Sequence, residues 1–326
     1  MTVTLKEIAR LAQVDAGTVS HVLNNHPKAA KLRPETRQHI MQIVRQTGYI
    51  PNKLARAIKS GHSRVLALVS NNIGDDEFMG RIMAGALEVL AEKSYSLKVF
   101  SLLPDNHEQI AREICEQRIE GVLFHAPGHL FFEDIQQTLL KYRLPCATVD
   151  ISNRIYGIGV TSADKEAMIN LTDYAVGRGF VNLCGPLTVN GSWEFEIRRK
   201  DGFIAGVEKN RGKIKEVFDI SKINNEKLPE KTAIICSSDQ QALHILQHPF
   251  WKREYFPHRF GISGFGDGLM AGWGMLPLTS VNQSHKEMGQ KAARELIKWI
   301  ENPEDELFNT PVNFSINSRI IPRATM

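Results

Sequence analysis

The sequence predicts an α/β protein in two parts: a small all-α head built on a helix-turn-helix, then a larger body with two parallel sheets. Three observations predict it. Over the first sixty residues apolar side chains recur at helical spacing, with a break of only two or three residues between the first two helices. Beyond residue 63, short strand-like runs alternate with helical stretches, the pattern of parallel sheets covered by helices. Charge divides at the same place: residues 1–62 hold ten Lys and Arg against three Asp and Glu, whereas the remaining 264 residues hold 30 against 33. A head of +7 on a body of −3 suggests one module for a polyanion and another for a different partner.

In the head, Thr4-Leu5-Lys6-Glu7 has the form of a capping box, with the Thr4 hydroxyl facing the amide of residue 7 and Glu7 able to reach back. Leu5, Ile8, Ala9 and Ala12 then lie on one helical face. Asp15 is placed to cap a second helix through Thr18, Val19, Val22 and Leu23. A third starts at Pro34, runs through Ile40, Ile43 and Val44, and stops at Gly48. A fourth segment, opening at Asn52 and closing at Gly61, is too short to hold alone in water. It reads either as a linker that frays or as a hinge that folds when docked. Helix-turn-helix units also occur in bundles that bind no nucleic acid. The basic surplus tips the reading to a major-groove reader, because phosphate neutralisation is the main source of nucleic-acid affinity.

In the body, strand-like runs are expected at 64–70, 97–102, 121–125, 145–150, 182–185, 215–219, 233–237 and 261–265. Helical stretches are expected at 79–93, 108–117, 165–177 and 240–247. Ligands in such folds bind outside the carboxyl ends of the strands.

Composition excludes several classes. The chain exceeds the usual ~100–200 residues of one domain, and its 42% apolar and 23% charged residues are ordinary globular values. No apolar run of the ~18 residues needed for a membrane span occurs, and the first residues lack the apolar core of a signal peptide, so a cytoplasmic location is expected. The cysteines, Cys115, Cys146, Cys184 and Cys236, form no Cys-x-x-Cys pair and read as reduced thiols. Gly264-Phe265-Gly266-Asp267-Gly268 lacks the spacing of a nucleotide loop. His244 and His248, four apart on a helix, lack the Glu of a His-Glu-x-x-His metal motif, and His125 and His129 read as exposed histidines. No nucleophile–base pair stands out, so neither enzyme, cofactor nor metal is expected.

Five pieces of the head, Leu5-Lys6-Glu7-Ile8-Ala9, Thr18-Val19-Ser20, Val22-Leu23-Asn24, Gly48-Tyr49-x-Pro51-Asn52 and Ala55-Arg56, resemble in order and spacing the lactose/galactose-repressor (LacI/GalR) transcription regulators. The resemblance implies that the helix from Ala16 to Asn24 enters the major groove, with Ala16, Gly17 and His21 at base-reading positions. It implies phosphate contacts for Thr4, Leu5, Thr18, Ser20, Asn24, Tyr49 and Asn52. Ala55 lies in the hinge motif, and Ile58 stands where the family usually has a Leu that wedges open a minor-groove step. His21 departs from the family's common Arg. It is shorter and titrates near neutral pH, so a different base preference is expected. Three extra residues lie between Asn25 and Pro34, in a loop carrying Lys28, Lys31 and Arg33, which reads equally as added phosphate contacts or as a solvated basic loop.

The resemblance continues through Arg118-Ile119-Glu120-Gly121-Val122, Gly185-Pro186-Leu187, Ser238-Asp239, Gly261-Ile262-Ser263-Gly264-Phe265 and Leu278-Thr279-Ser280-Val281. It implies a two-lobed body of the periplasmic-binding-protein-like type I fold. The implied organisation is a head over 1–50, a hinge helix over 51–62 and an effector-binding and dimerisation domain over 63–326. Lobe one spans about 63–162 and 284–311, and lobe two about 163–283 and 312–326. Phe78, Asp150, Trp193, Arg199, Ser238, Asp267 and Gln283 stand at or beside implied effector contacts. The Arg199 fork suits hydroxyls, carboxylates or phosphates, while Trp193 reads equally as a sugar-stacking ring or a packing residue. Ser238-Asp239 replaces the family's common Asn-Asp, and Gly266 replaces its common Asp, with Asp267 one residue later. Asp239 itself reads as the N-cap of the helix beginning there. The implied protein is a homodimeric repressor on pseudo-palindromic double-stranded operator DNA, controlled by a small-molecule effector, a sugar or sugar derivative, with no membrane role. The altered cleft leaves control by a protein partner as the alternative. No family-style tetramerisation heptad follows Ile320-Ile321-Pro322, which favours a dimer.

Overall fold

The computed structural model describes residues 3–52, 57, 61–74, 77–125, 132–188, 193–224, 227–274, 276–303 and 305–326. The chain divides into two units, Met1–Ser63 and Arg64–Met326.

Among its described residues the first unit holds the helices α1 (Leu5–Leu11), α2 (Ala16–Leu23) and α3 (Pro34–Thr47). Thr4 caps α1, its hydroxyl accepting the Glu7 amide at 3.3 Å, and Asp15 caps α2, accepting the Thr18 amide at 2.9 Å. These bonds satisfy amides that have no partner inside the helix. Ile8, Val19 and Ile40, one from each helix, are fully buried at the centre. The extra loop is a 3-10 turn, Pro27–Lys31, that buries Ala29 in this core while Lys28 and Lys31 stay exposed. Gly48 ends α3 in the left-handed region, at φ 63, where the Tyr49 amide returns to the Val44 carbonyl.

The second unit carries two parallel sheets. The first is built from β1 (Val65–Ser70), β2 (Ser96–Ser101), β3 (Gly121–His125), β4 (Cys146–Val149), β5 (Ile158–Ser162) and β11 (Val312–Ile316), in the order β11-β5-β4-β3-β1-β2. Its helices are α4 (Glu77–Glu92), α5 (His107–Glu116), α6 (Phe132–Lys141) and α11 (His285–Glu301). The second sheet is built from β6 (Asn182–Gly185), β7 (Glu216–Asp219), β8 (Thr232–Ile235) and β9 (Phe260–Ser263), in the order β7-β6-β8-β9. Its helices are α7 (Asp164–Gly177), α8 (Glu194–Lys209), α9 (Asp239–Leu246) and α10 (Leu269–Trp273). Bridges from Ser263 to Thr279 and from Gly266 to Asn282 tie this sheet to β10 (Ser280–Asn282), which pairs antiparallel with β12 (Arg319–Ile321). β3, β4, β5, β6, β8 and β9 are buried along their whole length, as strands covered on both faces must be. In lobe one α4 and α11 pack so closely that a Cβ on Gly289 would overlap the Ile82 carbonyl.

The chain passes between the lobes after β5, before α11 and before β12. The last passage falls at 317–318, not near 311 as the sequence suggests, because residues 312–316 pair in register with β5. That strand is an edge strand with no fully buried residue, so it lacks the solid apolar run of its neighbours. Helices α6, α8 and α11 also escape the reading from sequence.

Candidate nucleic-acid interface and ligand cleft

On α2 the positions 16, 17, 20, 21 and 24 share one face, opposite the buried Val19 and Val22. Gly17, Ser20, His21 and Asn24 offer partly or fully exposed surface there. Thr18 differs: its hydroxyl donates to the second Asp15 oxygen at 2.5 Å, and Asp15, held by the Thr18 hydroxyl and amide, has its pKa lowered. Gly17 has a local cause, since a Cβ there would sit 2.8 Å from the Asp15 carboxylate. Leu5, Ala16 and Tyr49 pack partly against the head core, so each serves the fold as well as any surface role. The Asn24 amide folds back on the Ser20 carbonyl at 2.7 Å. His21 stacks on His26, with ring centroids 4.7 Å apart, and His26 in turn accepts the Lys28 amide at 3.2 Å. The added loop therefore braces His21 from behind, a contact no reading of spacing alone supplies.

Asn52 is exposed. Ala55 and Ile58 lie outside the described residues. Gly61 closes the hinge segment with its amide on the Ala57 carbonyl at 2.9 Å and φ 78.

In the body a cavity of about 1170 Å³ opens between the lobes, at the carboxyl ends of the strands. Phe78 at the start of α4 and Trp193 at the start of α8 line it from opposite lobes, with Phe265 and Ser238 between. Ser238, not Asp239, caps α9: its hydroxyl accepts the Gln241 amide at 3.0 Å. Asp239 is buried and ties two loops together instead, accepting the Gly268 amide at 2.7 Å and the Ser280 hydroxyl at 2.5 Å. Burial pushes its carboxyl up, against the lowering effect of those two hydrogen bonds.

The other four sequence-derived positions stand apart from the described cavity wall. Asp150 directly follows β4 at φ 63, half-buried. Arg199 is buried behind the wall, sandwiched between Phe265 at 4.1 Å and Phe195 at 4.7 Å; it donates to the Ser237 carbonyl and pairs with Asp164 at 3.6 Å. The Asp267 carboxylate turns away to Arg323 at 2.6 Å and Asn282 at 2.8 Å. Gln283 is buried at the lobe crossing, its amide donating to Ser162 and Asp164. Where the family commonly has an acid, Gly266 at φ 126 leaves room for Phe78, whose ring lies 2.7 Å from where a Cβ would stand. Phe78 stacks on His285 at 4.4 Å, and burial, followed by the charges of Arg199 and Arg81, pushes His285 down to about 3.

Residues that sequence reasoning missed include Glu196, Gln240, Gln241 and Gln247, all on the cavity wall, together with His244 in a role other than metal ligation. Gln240, His244 and Gln247 recur at helical spacing, a signal that marks one face but not what the face meets. The lobes also clasp directly: Glu77 of α4 accepts the Leu269 amide at 3.0 Å, Arg81 donates to the Asp267 carbonyl at 2.9 Å, and Glu194 of α8 accepts the Ser152 amide at 3.2 Å.

Comparison with known proteins agrees with this two-part architecture. Residues 4–52 match the family model of bacterial regulatory proteins, lacI family, and residues 172–326 match the periplasmic binding protein-like domain. The ribose operon repressor of Haemophilus influenzae is 24% identical over 93% of this chain and 93% of its own. Among solved structures, a Lac repressor dimer bound to operator and an anti-inducer superposes with TM-score 0.75 at 17% identity, covering 100% of this chain and 99% of that one. A transcriptional regulator CelR–cellobiose complex superposes with TM-score 0.65 at 19% identity, covering 99% and 100%. With a head that matches the lacI family of bacterial regulatory proteins, a body that matches the periplasmic binding protein-like domain and similarity to repressors along nearly the whole chain, this protein is a DNA-binding transcription regulator similar to those of the lacI family.

Proposed function

We propose that the chain is a repressor that holds a pseudo-palindromic operator as a homodimer and is released or tightened by a carbohydrate bound between its lobes. The observation that carries this is the presence in one chain of a basic helix-turn-helix head, whose α2 leaves a polar face open, and a roomy cleft whose walls come from both lobes. A ligand touching both walls stabilises one lobe arrangement over another. Only such a difference in affinity can shift DNA binding, typically by 1–3 kcal/mol of coupling. On the DNA side, Ala16, Gly17 and His21 are the proposed base-reading positions, Thr4, Leu5, Thr18, Ser20, Asn24, Tyr49 and Asn52 proposed phosphate contacts, and Ala55 and Ile58 proposed hinge contacts. The proteins named above include a ribose operon repressor and a regulator solved as a complex with cellobiose, which supports a sugar for the cleft. Ser238 and Gly266, on which the protein-partner alternative rests, each have a local structural cause, so neither speaks against a small ligand.

Operator selection from random DNA tests this, followed by binding of the selected site with and without sugars. A sequence-specific site whose affinity changes at least fivefold with one sugar supports the reading. DNA binding indifferent to every small molecule, but altered by a co-purifying protein, sinks it.

A further inference from the structure

The charges around the cleft set which sugars can enter it. Four arginines stand near it, and each is paired with an acid: Arg81 with Glu77 at 3.0 Å, Arg198 with Asp164 at 3.1 Å, Arg199 with Asp164 at 3.6 Å and Arg323 with Asp267 at 2.6 Å. Among the described residues that line the cavity there is no Lys or Arg, and the body residues outside the described set add none. Acids do line it: Glu77, Glu196 and Asp239. Glu77 and Asp239 already accept hydrogen bonds from loop amides. Glu196, half-buried in the first turn of α8, accepts none among the described residues and faces the cavity as a bare carboxylate.

An anionic ligand entering this space would lose its hydration without gaining a cation, and would meet like charge. A neutral hydroxylated ligand suits the rest of the wall. The Gln241 side chain is anchored by its oxygen to the Ser237 amide at 2.8 Å, which leaves its NH2 group as a donor. Thr188, Ser221, Gln240 and Gln247 add hydroxyls and amides, and Trp193, 41% exposed, offers a face for sugar C–H groups. The volume, about 1170 Å³, exceeds the roughly 300–1,000 Å³ of common small-molecule sites, so a single sugar ring leaves most of it empty.

We propose that the cleft selects a neutral oligosaccharide of two or more rings and excludes phosphorylated and uronic-acid sugars, with Glu196 as the excluding group. This rests on the carbohydrate reading above. It corrects what Arg199 suggests from sequence, since that guanidinium is held behind Phe195 and Phe265 rather than offered to a carboxylate or phosphate.

The test is isothermal titration of the full-length protein with neutral mono-, di- and trisaccharides, their phosphorylated and uronic-acid counterparts, and nucleobases. The expected result is a neutral di- or trisaccharide binding at least tenfold tighter than its component monosaccharide and tenfold tighter than its anionic counterpart. In Glu196→Gln the ratio of the neutral and anionic Kd values narrows severalfold. An anionic sugar binding as tightly as its neutral parent, or a monosaccharide matching the disaccharide, overturns this proposal and leaves the carbohydrate reading standing. Binding of nucleobases alone, or of no compound, overturns the carbohydrate reading itself.

Discussion

His285 is a histidine in a place where only its neutral form is comfortable. It is 3% exposed, stacked on Phe78, with the guanidinium charges of Arg199 and Arg81 nearby, and is pushed down to about 3 from an ordinary value of 6.5. The unfolded chain takes up this proton below pH 6.5 while the folded chain refuses it until about 3. The stabilisation from keeping His285 neutral is therefore complete above pH 6.5 and is lost progressively as pH falls toward 3. The slope is at most about 1.4 kcal/mol per pH unit for one group, so lowering the pH to 5 costs roughly 2 kcal/mol. His285→Phe keeps a ring against Phe78 and removes the titration. Urea unfolding at pH 7.5 and pH 5 measures this, and the loss between the two should be smaller in the variant by about that amount. Equal losses in both proteins would mean that His285 is not the group responsible.

The elements divide into those whose reason for existing is local and those whose reason is elsewhere in the chain. α1, α2 and α3 could be bounded from sequence because their stops are chemical: Thr4, Asp15, Pro34 and Gly48 act on neighbouring amides and carbonyls. β11 could not be assigned to its lobe, because nothing in Val312–Ile316 states that its partner is β5, some 150 residues earlier. The cleft followed the same division. Phe78, Trp193 and Ser238 were reachable by motif, whereas Arg199, Asp267 and Gln283 have partners drawn from distant segments, and those partners turn them from the cavity. The clasp of α4 on the 266–269 loop is also long-range, and it has a functional consequence. Glu77 and Arg81 bond across the lobes in the arrangement seen here, so they favour that arrangement and add to the affinity of any ligand that binds it preferentially. Both are about one-third exposed, so solvent limits the clasp bond to roughly 0.5–1 kcal/mol. Glu77→Ala should weaken effector binding about two- to fivefold, read by titration calorimetry, with the operator affinity of the ligand-free protein moving in the opposite sense to the ligand's own effect. An unchanged effector Kd would show that this arrangement does not depend on the bond.

At the scale of the whole molecule, charge separates the two activities along the chain. The head and hinge carry a surplus of seven positive charges and the body a deficit of three, so a dimer presents fourteen surplus positive charges to a polyanion through its heads alone. Each phosphate neutralised releases condensed counterions, and log affinity falls with log salt at a slope of about 0.9 per contact on duplex DNA. If half of the surplus charges of a dimer meet phosphates, the slope is roughly −6, and raising salt from 50 to 200 mM weakens binding by about 10³ to 10⁴. The body, net negative and holding its cleft arginines in ion pairs, should show almost none of this dependence toward a neutral sugar. A fragment beginning at Arg64 retains both parallel sheets and every described cleft residue. Titrated side by side, the full chain should bind operator DNA with the steep salt slope, and the fragment should bind no DNA yet keep the effector Kd of the full chain within about twofold. Operator binding by the fragment, or a shallow slope for the full chain, would mean that the body contributes to DNA recognition and that the division of charge does not mark the division of labour.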